Sequence, residues 1–195
     1  MKLRLWVLAL SVALLAASAG TALARNPHCA GGIQYVTQAL NDKEKGNTED
    51  YQREINKAID QLSAGAAEDP ADFEAQGYLA WALAEVDSAG PAGEWFIKAA
   101  AGAQAKGDKK KLDVINSNRD HYWSIAFNDG IKNIQDAQQF LDAGAKEEAA
   151  KAFEVAVRRM TSAKMLRPGH AQTLRNLATA YALSGASASV SRMAS

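Results

Sequence analysis

Three stretches of the chain repeat one ladder of small and apolar residues: Ala58-x3-Leu62-x2-Gly65-x4-Pro70, Ala92-x3-Phe96-x2-Ala99, and Ala156-x3-Met160-x2-Ala163-x4-Pro168. The first two are in register at 34 residues. A period of that length marks stacked supersecondary units, each too thin to bury its own apolar face and completed by its neighbour. Such an array offers a surface rather than a closed catalytic cleft. No period-two alternation persists between turn signals, and Ala, Leu, Glu, Lys and Gln dominate, so the units are helical.

Breaks are expected at 41–47, 68–70, 88–91, 107–108, 143–144 and 168–169, where Gly, Pro, Asn and Asp cluster. Asp69-Pro70 reads as a cap followed by a first-turn proline, and Ser88 and Asp108 read as further caps. Pro168 should end one helix and Gly169 let the chain reverse. The stretch from Asp108 to Asp142 has no obvious stop, since Leu112, Ile115, Trp123, Ala126, Phe127, Ile131, Ile134 and Leu141 hold a helical spacing. One helix of about 50 Å, straight or kinked, is expected there. Asn116-Ser117-Asn118 is the weak point if it divides.

The ladders and the residues around them resemble the tetratricopeptide repeat, in which large-x2-Leu-Gly-x2-Tyr marks the first helix of a pair and Ala-x3-Phe-x2-Ala the second. Leu174, Leu177, Ala178 and Tyr181 fall at the first-helix spacings, with Gly185 in the turn after them. Leu79, Ala80 and Leu83 fit a first helix, and Ala92, Phe96 and Ala99 its partner. The resemblance implies an all-α, right-handed α-solenoid of antiparallel helix pairs, about seven helices within residues 25–185. Its units run about 30–70, 71–106, 108–168 with the long insertion, and a half unit at 169–185, followed by a disordered or truncated tail over 186–195. Asn41 to Asn47 displaces the opening helix toward Gly31 to Leu40. Ala149-x3-Phe153-x2-Ala156 adds a second ladder to the third unit, which implies a longer helix there. The last helix, with Leu174, Leu177, Tyr181 and Leu183, has no successor. Truncation is the favoured explanation over a cap or a helix supplied by a partner, self-association included, because a cap should turn a polar face outward.

Residues 1–24 read as a signal peptide: Lys2 and Arg4 precede an apolar run, and Ala22-Leu23-Ala24 is a small-x-small cleavage pattern. The expected mature chain begins at Arg25 and lies in the periplasm or outside the cell, with no membrane span once the leader is cut. Losing Lys2 and Arg4 turns a formally neutral chain slightly acidic, which gives no footprint for nucleic acid. The basic run Lys109-Lys110-Lys111 is flanked by Asp108 and Asp113 and reads as a solvated helix start. Cys29 is the one cysteine, so no intramolecular disulfide forms. With His28 it offers two ligands where zinc takes four.

Asp120, His121 and Ser124 are the residue types of a hydrolytic triad, yet neighbours on a helix point about 100° apart, so Asp120 cannot orient His121. The acidic pairs Glu49-Asp50 and Glu147-Glu148 sit at helix starts and complement the dipole there. No phosphate loop or His-Glu-x-x-His motif occurs in the sequence. By the resemblance, first helices line a concave groove. The stripes that avoid the packing ladder are Glu74, Gly77, Trp81 and Glu85 in one unit and Gln172, Arg175, Thr179 and Ala182 in another. Glu74, Trp81, Glu85, Gln172 and Arg175 are the candidate partner-binding residues. The family's carboxylate clamp is not reproduced beyond Arg175-Asn176. The resulting expectation is a non-catalytic, cofactor-free exported bacterial scaffold that binds protein or peptide. The alternatives are a small-ligand or metal-binding periplasmic protein using His28 and Cys29, and an enzyme with its site in the 108–142 insertion.

Overall fold

The computed structural model describes the backbone of residues 25–193, with side chains as far as residue 185. The expected signal peptide lies outside the described residues. Among them are seven α-helices and no strand: α1 (Pro27–Glu44), α2 (Thr48–Glu68), α3 (Phe73–Glu85), α4 (Ala89–Ala105), α5 (Lys109–Asp142), α6 (Lys146–Leu166) and α7 (Ala171–Met193). Each helix packs on the next in the chain, most extensively α1 on α2, α3 on α4 and α5 on α6. Further contacts join α1 to α3, α3 to α5, α4 to α6 and α5 to α7.

The ladders are the core. Ala58, Leu62, Ala92, Phe96, Ala99, Ala156, Met160 and Ala163 are fully buried, and Gly65 is buried with them. The small residues set how closely the helices approach. A Cβ built on Gly65 would stand 2.7 Å from Cys29 Sγ and 2.8 Å from the Cys29 nitrogen, so only glycine admits α1 at this distance.

Two kinds of turn connect the helices. After α1, α4 and α5 the chain passes through Gly46, Gly107 and Gly144 at φ of 77°, 69° and 76°. Each is followed by a hydrogen bond from the next N–H back to a carbonyl five residues earlier: Asn47 to Asp42, Asp108 to Ala103, Ala145 to Phe140. After α2 and α6 a proline does the work. Asp69 and Arg167 precede Pro70 and Pro168 and are driven extended, at φ −129° and −135°.

Several local expectations shift. Asp69 ends α2 rather than capping α3, whose N-cap is Asp72 through a hydrogen bond from the Ala75 N–H to Oδ1 at 2.9 Å. The opening helix starts at Pro27, with Asn26 capping it, and spans 18 residues. The expected single helix does hold: across Asn116 to Asn118 α5 continues unbroken for 34 residues, because Ile115 is pinned in the core on one side and Ala126 on the other, which outweighs a few tenths of a kcal/mol of poor propensity per residue. Gly185 lies inside α7 rather than in a turn. On α7 the buried face is Thr173, Leu177 and Ala180, while Leu174 and Tyr181 are exposed.

Candidate functional site

A groove of about 340 Å³ opens between α3 and the first turns of α5. Its apolar wall is Tyr78 and Trp81 from α3 and Val114 and Ile115 from α5, with Gly77 between them. Tyr78 stacks on Trp81 at 5.9 Å between ring centres. Glu74, Asp108, Lys110 and Lys111 form the polar rim at one end, and Asn118 stands at the other.

Arg25 braces the rim from outside the groove. The Arg25 guanidinium donates to both oxygens of Asp72, at 2.7 and 2.8 Å, and to Glu74 Oε2 at 2.9 Å. Lys111 Nζ reaches the same Glu74 oxygen at 2.7 Å. Burial pushes the Asp72 carboxyl up, but the bond from Arg25 and the Ala75 N–H outweigh it and hold the group below its usual range. Asp108 accepts from the Lys111 N–H at 3.1 Å and caps α5. Both groove carboxylates are therefore engaged. Lys110 has no such partner among the described residues.

Behind the groove lies a polar network. Trp81 Nε1 donates to Tyr122 Oη at 2.8 Å, and Tyr122 donates in turn to Glu85. Tyr51 Oη donates to Glu85 at 2.9 Å, and Lys43 completes the set. The Glu85 side chain is only 5% exposed. Burial raises its pKa, yet the donors Lys43, Tyr122 and Tyr51 overcompensate and hold it below the usual carboxyl value. Burial, then the bond to Glu85, pushes both tyrosine hydroxyls up.

The five candidate residues thus separate. Glu74 and Trp81 share the groove. Glu85, on the same sequence stripe, faces α1, α2 and α5 and serves the interior. Gln172 and Arg175 are exposed on α7, 3.4 Å from each other, and among the described residues α7 makes no contact with α3. Sequence reasoning missed Tyr78 and the whole α5 wall, because the long helix carried no sign of the element it would face.

The other chemical constellations resolve into packing. Cys29 is fully buried, and burial followed by the nearby Asp72 and Asp69 carboxylates pushes its thiol up to about 11, so it stays protonated near neutral pH. His28 instead bonds Glu68 at 2.8 Å on the exposed side of α1. Among the described residues no three His, Cys, Asp or Glu side chains gather as metal ligands. Ser124 Oγ donates to the His121 carbonyl at 2.7 Å, and Asp120 pairs with Arg119 at 3.2 Å. His170 Nδ1 receives the Thr173 N–H at 3.2 Å and its ring sits 4.5 Å from Trp123, which ties α7 to α5.

Comparisons with family models, with curated proteins and with solved structures return no match. Among the described residues no helix is long and apolar enough to cross a membrane.

Proposed function

We propose that the chain is an exported, non-catalytic scaffold of tetratricopeptide-like helix pairs, and that it binds an extended peptide or protein segment in the groove between α3 and α5. The groove itself carries this reading. It offers an aromatic pair already held in place, Trp81 at its Nε1 edge by Tyr122 and against Tyr78 at its face, so little side-chain freedom is lost on binding. Buried aromatic anchors inside a polar rim are where binding energy concentrates in peptide sites. The pairing of α1 with α2, α3 with α4 and α5 with α6, with cross-contacts from α1 to α3, α3 to α5, α4 to α6 and α5 to α7, supports a stacked array. The ladder periodicity supports the same assignment. The apolar leader supports an envelope location.

A phage-displayed peptide library panned on the protein tests the site. Val114 is 54% exposed and Ile97, on α4 outside the groove, is 49% exposed, so a glutamate at either changes stability by only about 0.5 kcal/mol. Clones selected on the unmodified protein should lose binding about tenfold or more to Val114→Glu and keep it to Ile97→Glu. Equal retention by both variants would place binding elsewhere.

A further inference from the structure

We infer that Tyr122, which lies outside the groove, sets what the groove selects: by taking the one hydrogen on the Trp81 indole nitrogen, it makes the wall favour an apolar side chain over a hydrogen-bonding one. This rests on the groove being a peptide site. Trp81 lines the groove with Tyr78, Val114 and Ile115, whereas Tyr122 lines a separate cavity of about 190 Å³ with Lys43, Glu85 and Arg159. The bond that joins the two places runs from Trp81 Nε1 to Tyr122 Oη at 2.8 Å. An indole has one donor and no acceptor, so with that hydrogen spent Trp81 shows a ligand only carbon. The rim charges balance, Glu74 and Asp108 against Lys110 and Lys111, which leaves selection to the wall.

The direction of that bond is fixed from behind. Glu85 is a carboxylate near neutral pH, because its donors hold its pKa below the usual value, and a carboxylate can only accept. Tyr122 therefore turns its single hydroxyl hydrogen to Glu85 Oε1 and a lone pair to Trp81. Tyr51 and Lys43 bond the other oxygen, Oε2, from α2 and α1. Removing the Tyr122 hydroxyl would leave those two bonds in place and the Trp81 N–H without its partner. The freed hydrogen would then turn to water or to an acceptor in the groove. While Tyr122 holds it, an asparagine side chain buried against Trp81, Val114 and Ile115 loses its water and gains no bond from the indole. Relative to leucine, of nearly the same size, that costs about tenfold in affinity.

The phage clones that depend on Val114 supply the probe. In the peptide from the tightest of them, the residue whose change to alanine costs most affinity is made leucine in one copy and asparagine in another, and both are titrated by fluorescence anisotropy. The unmodified protein should favour leucine about tenfold or more. Tyr122→Phe keeps the ring and should cut that ratio about threefold or more, while Tyr51→Phe, which takes a donor from the same carboxylate, should leave it unchanged. In the nitrogen–proton spectrum, the indole signal that Trp81→Phe deletes should exchange with water about tenfold or more slowly in the unmodified protein than in free tryptophan. That protection should be lost in Tyr122→Phe and kept in Tyr51→Phe. An unprotected Trp81 signal in the unmodified protein overturns the inference without any variant. A leucine preference that Tyr122→Phe leaves intact, or that both tyrosine variants reduce alike, also overturns it, and in either case the peptide site stands. Absence of any groove-dependent clone removes the site and the inference together.

Discussion

Four helices meet at the carboxylate of Glu85, where Lys43 from α1, Tyr51 from α2 and Tyr122 from α5 converge on the end of α3. A buried carboxylate is tolerated only when its lone pairs are filled, and here three donors fill them. Truncation in Glu85→Ala would strand two tyrosine hydroxyls, at about 1–3 kcal/mol for each buried donor left without a partner. Lys43 is half exposed and returns to water. The expected loss is therefore about 2–6 kcal/mol, with Glu85→Gln costing less because its amide oxygen still accepts. The pH dependence follows from the direction of the shift. The folded-state pKa lies below the ordinary 4.5, so the stabilisation is present above 4.5 and is lost as pH falls through the lowered value. Urea midpoints measured from about pH 6 to about pH 3 should decline in the unmodified protein, and decline less in Glu85→Gln. Equal slopes in the two proteins would show that other carboxylates govern acid unfolding.

Turn chemistry decides where the helices stop, and one turn departs from the pattern its neighbours share. Val86-Asp87-Ser88 joins α3 to α4 with the same returning hydrogen bond, Ser88 N–H to the Leu83 carbonyl, but places Asp87 at φ 59° where the others place glycine. The left-handed conformation costs an L-residue about 1–2 kcal/mol, somewhat less for aspartate. Asp87 offsets part of this through two bonds to Arg159 at 2.9 and 3.0 Å on the surface. Asp87→Gly should therefore be neutral or stabilising by up to about 1 kcal/mol, since an exposed ion pair is worth about 0.2–1. Asp87→Ala keeps the strain, loses the pair and should destabilise by about 1 kcal/mol. A melting temperature lower for the glycine variant than for the alanine one would reverse this account. The same elements show what is legible in a sequence. The ladders report the core because burial on a helix recurs every three or four residues, and the glycine turns report themselves because few other residues reach positive φ. Half the groove is legible too, since Glu74, Gly77 and Trp81 follow one helical stripe. The other half is not: that Val114 and Ile115 face α3 is a long-range pairing, and no local period encodes it. Nor does spacing separate Trp81, which lines the groove, from Glu85, which turns inward where three other helices converge.

At the scale of the whole molecule, every helix contact among the described residues joins elements one or two steps apart in the chain. One buried cluster gathers α1, α2 and α3, and a second gathers α3, α4 and α5 with Leu166, so α3 belongs to both. Among the described residues no contact ties α1 and α2 directly to α6 and α7. Structures with only neighbour contacts open in sections, each section's protection reflecting its own interfaces and those beside it. Gly65→Ala is the sharpest probe, because its new Cβ collides with Cys29 Sγ and with the rigid Cys29 backbone, an overpacking that typically costs about 1–3 kcal/mol. Native-state hydrogen exchange of that variant should therefore show α1 and α2 amides exchanging about tenfold or more faster, while the α6 amides around Phe153 and Met160 keep their rates. Cys29→Ala in the same background removes the sulfur but not the backbone contact, so it should restore part of the α1 and α2 protection and change nothing in α6. Uniform acceleration across all seven helices would mean that the two clusters unfold as one cooperative unit through their shared helix, and that α3 couples the molecule's ends more tightly than its contacts alone account for.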